Sequence, residues 1–304
     1  MTTPTSSPLF QTDRDWVAAG KRLSLNLPRG TTDIFVREGG GGHGKSLVFL
    51  HGFPTSSWDW SRVEPWLAKD HSLLFLDFLG FGHSDKPRRH RFSYAEQTDI
   101  AVQVIAAHRR GDIHLVVHDY AVTVGQELLA RQAAGRLPFR IASLTFLNGA
   151  VYGAQHKTLP LQKALRMPII GWLLSQVVSK GTVRSSLSKV FSVGHPLSDA
   201  EFDGHWRSIS HNDGHRLAYK LIHYLGDRRK FGSAWELAME KTSVPLQFIW
   251  GMTDPVSGAH VLEYAKTRMP GLHAVPLDDV GHYPQIEAPK RVADAIGAFV
   301  ERSA

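Results

Sequence analysis

Runs of consecutive apolar residues alternate along this chain with stretches of helical spacing. KSLVFLHG (45–52), HSLLFLDF (71–78), IHLVVHD (113–119), IASLTFLNG (141–149), VPLQFIWG (244–251) and HAVPLDD (273–279) read as strands. Helices are expected near 57–69, 94–109, 121–134, 259–268 and 289–302. Cores such as LVFL, LLFL and FIW do not alternate with polar residues, which suits strands covered on both faces. Strand–helix alternation then predicts right-handed crossovers and a parallel sheet. Two earlier runs, KRLSLNL (21–27) and DIFVRE (33–38), read as an antiparallel edge hairpin around PRGT. The fold class is therefore α/β, with a mostly parallel eight-stranded sheet and helices on both faces.

The rhythm breaks between 150 and 243, where the pattern is helical and offers no strand. A helical cap inserted into the sheet domain accounts for it. The organisation expected is a flexible tail at 1–19, a core of 20–150 with 233–304, and a cap at 151–232.

Composition narrows the function. With 42% hydrophobic and 21% charged residues, the 304-residue chain can bury a large core. The net charge of +7 raises the question of nucleic acid. Its densest basic clusters are only PRRHR (87–91) and DRRK (227–230), without interleaved aromatics, so a solvated basic surface is expected and no nucleic-acid partner. The absence of cysteine excludes disulfides, thiolate metal sites and thiol nucleophiles. The start MTTPTSSPLFQTD lacks the basic residues and apolar run of a signal peptide. MPIIGWLLSQVV (167–178), the longest apolar stretch, is too short to span a bilayer. A soluble, cytoplasmic protein without stable membrane insertion, monomer or homodimer, is the expectation.

Chemistry in open parallel sheets gathers beyond the carboxyl ends of the strands. There the sequence places His51-Gly52-Phe53-Pro54, Asp77, Asp119, Asn148, Asp254 and the loop DDVGHYPQ with His282. Two carboxylates and a histidine on separate loops follow the logic of nucleophile, base and orienting group. Each residue also has a structural reading. Asp119 could be a helix N-cap, Asp254-Pro255 a turn starter, and Asp77 the cap of a glycine-rich turn.

The segments HGFPTSSWDW, LDFLGFGHSDKP, VVHDYAV, FIWGMTDPV and DDVGHYPQIEAP resemble the signature segments of α/β-hydrolases of the epoxide-hydrolase and haloalkane-dehalogenase branch. Within that branch, HGFPTSSWDW, LDFLGFGHSDKPR, HNDG and HYPQ are most similar to mesoderm-specific transcript protein-like hydrolases. The likeness runs from about residue 20 to the C-terminus and is weakest in the cap. It implies an α/β-hydrolase fold in which Asp119 stands where serine is usual, at a strand–turn–helix elbow. A carboxylate there attacks an sp³ carbon and forms an alkyl ester, which disfavours esterase and lipase activity. By the same resemblance Asp254 orients His282, His282 activates the hydrolytic water, and the N–H groups of Phe53 and Tyr120 form an oxyanion hole. No metal or cofactor is required.

The substrate expected is a small, apolar electrophile. Dehalogenases of this branch hold the halide with a Trp after the nucleophile and a second Trp or an Asn; here Tyr120 and Phe53 stand at those places, and Trp172 is the remaining donor, or simply packs. Epoxide hydrolases use two cap tyrosines. Tyr224 falls near the place of the second, with Tyr219 a weaker candidate, and Tyr152 is the nearest substitute for the first. Val117, two residues before Asp119, is larger than the residue usual at that place. Epoxide opening is the leading expectation, with dehalogenation or ligand binding without turnover as alternatives.

Overall fold

The computed structural model describes residues 11–303 apart from positions 29, 110, 156, 158 and 159. Eight strands form one sheet: β1 (Lys21–Leu27), β2 (Gly30–Gly39), β3 (Ser46–Leu50), β4 (Ser72–Leu76), β5 (Asp112–His118), β6 (Arg140–Leu147), β7 (Leu246–Gly251) and β8 (His273–Leu277). Their spatial order is β1-β2-β4-β3-β5-β6-β7-β8. β1 and β2 pair antiparallel, as does β2 with β4, and every other pairing is parallel.

Successive strand side chains point to opposite faces, so unbroken apolar runs serve two cores at once. Val48, Leu50, Leu74, Leu76, Leu115 and Val117 join one cluster. Their neighbours Leu47, Phe49, Leu73, Phe75 and Val116 join the other. Helices α1 (Asp13–Ala18), α2 (Glu64–Leu67), α3 (Tyr94–His108), α4 (Tyr120–Ala133), α11 (Ala259–Arg268), α12 (Pro284–Glu287) and α13 (Pro289–Arg302) flank the sheet. Between β6 and β7 lie α5 (Pro160–Leu165), α6 (Pro168–Val177), α7 (Lys180–Ser188), α8 (Asp199–Ser210), α9 (Ala218–Leu221) and α10 (Tyr224–Lys241).

Three expectations need correction. The tail expected at 1–19 is helical over Asp13–Ala18: Thr12 and Asp15 form a capping box, and Trp16 is buried with Arg37 stacked 4.0 Å over its ring. Residues 1–10 lie outside the described residues. The helix expected at 57–69 is a 3₁₀ turn, Ser57–Trp60, followed by the short α2. Pro65 lacks an N–H and would clash with the carbonyl of Ser61 in a continuous helix, so it stands in the first turn of a new one. The cap limit expected at 232/233 falls inside α10, which runs on to Lys241 because its second half rests on α4. There Trp235 Nε1 donates to Glu127 at 2.7 Å, and Gln126 Nε2 lies 3.5 Å from Met239 Sδ.

Candidate active site

The chain turns sharply where β5 meets α4, and Asp119 sits at the turn with φ 46° and ψ −105°. Positive φ is uncommon outside glycine, although Asp and Asn tolerate it best. Close packing holds the turn. A Cβ on Gly52 would lie 2.9 Å from the Asp119 Cβ, and one on Gly149 would lie 2.9 Å from the Asp119 carbonyl oxygen. The Asp119 N–H donates to the Asn148 carbonyl at 3.0 Å. The N-cap reading of Asp119 fails, because its side chain makes no capping bond to α4 from that position. Val117 leaves strand pairing regular through His118. Room for it comes from Gly125, one glycine on the facing side of α4, whose Cβ would stand 3.4 Å from both Val117 methyls.

The Asp119 carboxylate is divided between two environments. Oδ2 accepts the Phe53 N–H at 2.9 Å, and the Tyr120 N–H supports the same charge. Oδ1 faces His282 Nε2 at 3.7 Å. On the other side of the ring, His282 Nδ1 lies 2.7 Å from Asp254 Oδ2. Asp254 also accepts from Ser257 Oγ at 2.7 Å, Asn148 Nδ2 at 3.0 Å and the Val256 N–H at 2.8 Å. Asp119, His282 and Asp254, drawn from three separate loops, are thus brought together.

Burial drives each pKa and local charges correct it. Burial raises the Asp119 carboxyl, opposed by His282 and the two N–H groups. Burial would also raise Asp254, but the charge and hydrogen bond of His282, then Ser257 and the Val256 N–H, hold it well below the carboxylate range. Burial would lower His282, yet Asp254 and then Asp119 push it up to about 9. At neutral pH His282 is therefore an imidazolium, set between the Asp254 carboxylate and Asp119.

Supporting residues fix the histidine loop. Glu287 accepts the N–H groups of Gly281 at 2.9 Å, Tyr283 at 3.1 Å and Ser192 at 3.0 Å. His118 Nε2 donates to the His282 carbonyl at 2.8 Å. The His282 N–H donates to the Val190 carbonyl at 2.9 Å, tying the loop to the helical segment. Glu287 and Ser257 escaped the sequence reading, and His118 entered it only as part of the elbow segment VVHDYAV. A carboxylate five residues after His282, in an otherwise apolar stretch, was the one available signal. Asp77, as expected, holds a turn, accepting the Ser57 and His83 N–H groups at 2.7 Å each.

A cavity of about 480 Å³ opens above Asp119 and His282, walled by Phe53, Phe81, Leu165, Leu174 and Val178. None of the three expected substrate residues, Tyr152, Trp172 and Tyr224, is among those that wall it. Tyr152 stacks edge-on against Tyr264 at 5.0 Å, and its hydroxyl donates to Glu240 at 3.1 Å. Trp172 is half-exposed on the outer side of α6, because a 3.6-residue turn sets it nearly opposite Leu174, which faces the cavity. Tyr224 is buried behind the Phe53 wall, its ring 6.1 Å from Phe53 and 5.1 Å from Tyr120.

The family model for the alpha/beta hydrolase fold matches residues 45–289. The chain belongs to the α/β-hydrolases. The mycobacterial protein LipZ (Mycobacterium tuberculosis H37Rv) is 38% identical over 93% of this chain and 96% of its own. The human mesoderm-specific transcript homolog protein is 35% identical, covering 94% of this α/β-hydrolase and 87% of the relative. Among solved structures, haloalkane dehalogenase DbeA from Bradyrhizobium elkani superposes with a TM-score of 0.78 at 19% identity, covering 93% of this chain and 98% of that one. That last likeness is one of fold. No helix among the described residues is long and apolar enough to cross a membrane.

Proposed function

We propose that this α/β-hydrolase opens epoxides to diols through a covalent ester on Asp119, beneath a cap formed by the helices between β6 and β7. The observation that carries the reading is the divided Asp119 carboxylate, with Oδ2 held by the Phe53 N–H, the Tyr120 N–H supporting the same charge, and Oδ1 turned toward His282. Oδ2 is already where a tetrahedral oxyanion would need its donors, and Oδ1 is left to attack.

In the first half-reaction Oδ1 bonds to an epoxide carbon, the carbon–oxygen bond to the ring oxygen breaks, and that oxygen takes the Nε2 proton of the His282 imidazolium, which stands 3.7 Å from Oδ1. Forming the ester removes the Asp119 charge that helps hold His282 protonated. With its proton on the opened ring's oxygen, His282 is left neutral beside the ester. In the second half-reaction neutral His282 takes a proton from water, the hydroxide attacks the Asp119 carboxyl carbon, and the oxyanion on Oδ2 rests on two N–H donors. Collapse expels the diol and returns the carboxylate.

Dehalogenation by the same nucleophile is the second reading. Against it stand the outward turn of Trp172 and the absence of tryptophan among the described residues that wall the cavity. Incubation with styrene oxide and with a bromoalkane, assayed for diol and for bromide, tests the choice. Diol without bromide supports the proposal. Bromide release alone transfers it to the dehalogenase reading. Turnover of neither, with ligand still binding, points to a pseudoenzyme.

A further inference from the structure

Helix α6 shows water an almost wholly apolar surface. Ile169 is 75% exposed, Val177 74%, Leu173 50%, Trp172 47% and Ile170 43%, and Met167, just before the helix, is 50% exposed. Its inner face is narrow. Gly171 lets the helix press on α5, since a Cβ there would lie 2.0 Å from the Leu165 carbonyl oxygen, and Ser175 Oγ accepts the Tyr219 N–H at 3.2 Å. A contiguous apolar patch of this kind on a folded surface marks a contact site.

Charge says which contact. Residues 151–198 carry Lys157, Lys163, Arg166, Lys180, Arg184 and Lys189 and not one Asp or Glu. Lys180 and Arg184 reach Asp203 and Asp199 on α8, whereas Lys163 and Lys189 stand exposed on either side of α6 along the chain. A second copy would bring the same cations face to face. An anionic surface complements them. We propose that this face docks on a bilayer bearing anionic lipid, with α6 lying in the headgroup plane and Ile169, Trp172, Leu173 and Val177 dipping beneath it.

The dimensions fit a helix lying on the membrane and exclude one crossing it. At 1.5 Å per residue the 10 residues of α6 span about 15 Å, half the hydrocarbon thickness. Tryptophan prefers the headgroup level, and amphipathic segments flanked by cations bind anionic interfaces. The helix that would meet lipid also walls the cavity: Leu174, Val177 and Val178 line it, and Val177 belongs to the exposed patch as well. An apolar ligand dissolved in the membrane would therefore lie beside the cavity wall. The docking itself holds whichever bond the enzyme cleaves.

Vesicle flotation with the full chain tests this without any turnover, so its failure is separate from failure of the epoxide reading. The probes are phosphatidylcholine vesicles with and without about 30 mol% phosphatidylglycerol, at low and high salt. Wild type should float with the anionic vesicles, at least tenfold less with the neutral ones, and detach in high salt. I169D/W172D should lose at least tenfold on both. K163Q/K189Q should lose about 25-fold on anionic vesicles alone, each cation near such a surface being worth about fivefold. Both variants change surface positions, and circular dichroism should show both folded. No flotation of wild type, or flotation indifferent to both variants, overturns the proposal. A lipid-free dimer that I169D/W172D splits, with no vesicle binding, overturns it in favour of a second copy.

Discussion

Replacing His282 with Gln should separate the two half-reactions and leave the intermediate visible. The amide can still donate to Asp254 Oδ2, which now accepts from the imidazole at 2.7 Å. Asp119 keeps the Phe53 N–H at 2.9 Å, so alkylation retains its nucleophile and, without the imidazolium proton, is slowed but proceeds. What disappears is the base. His118 cannot take over, because its Nε2 is bound to the His282 carbonyl and its Nδ1 faces Gln285 at 3.1 Å. The timing of base catalysis follows from one distance. With Oδ1 3.7 Å from Nε2, the Asp119 charge favours the imidazolium by about 4 kcal/mol at an effective dielectric of about 20. Esterification removes that charge, which brings His282 from about 9 back toward its ordinary range. The ring is therefore a base for water only after the ester exists. Losing it should slow ester hydrolysis by about 10²–10⁴-fold. Intact-mass spectrometry after incubation with an epoxide should show one adduct heavier by the whole substrate mass, located on the peptide bearing Asp119. A bromoalkane adduct would be lighter than its substrate by hydrogen bromide. Rapid multiple turnover by the variant would remove His282 from the mechanism, and an adduct on another residue would remove Asp119.

Asp119→Asn should leave a folded protein with no turnover, and NMR titration should put the His282 pKa below its wild-type value of about 9; near-native activity would end the nucleophile assignment. Because the folded-state pKa of His282 is raised, its contribution to stability is complete below about 6.5 and fades as pH climbs through about 9. Denaturant melts should show that decline in wild type and not in His282→Gln, and identical profiles would contradict it. Tyr224→Phe should leave epoxide opening nearly unchanged, since Tyr224 packs behind Phe53 and does not wall the cavity. A loss of about a hundredfold confined to epoxides would return the phenol to the mechanism, and an equal loss on epoxide and haloalkane would mean a damaged cap. Gly125→Val should cost about 1–3 kcal/mol by crowding Val117, read as a lower melting temperature; an unchanged melt would show that α4 can shift to admit it.

Much of the fold was legible in the pattern of apolar residues. Two-faced burial requires unbroken apolar runs, and those runs located the eight strands, the edge hairpin and the strand-free gap with few errors. The extra turn of β2 and the helix at Asp13–Ala18 were missed, since a strand end and one buried tryptophan leave little periodic trace. The sequence also named the strand ends where chemistry could collect, because connectivity in a parallel sheet puts them on one edge. Pattern alone did not say which side chains at that edge meet; only the resemblance of the signature segments singled out Asp119, His282 and Asp254. Asp119, His282 and Asp254 lie far apart along the chain, and only the packing that aligns three loops sets separations of 2.7 and 3.7 Å. The helical segment was less legible still. An amphipathic pattern says that one face is buried, but not against what. Tertiary packing decided that Leu174 faces the cavity, that Trp172 faces outward, and that Tyr152 turns to Glu240. Tolerance of Val117 was decided the same way, by a glycine eight residues later that only folding brings opposite it.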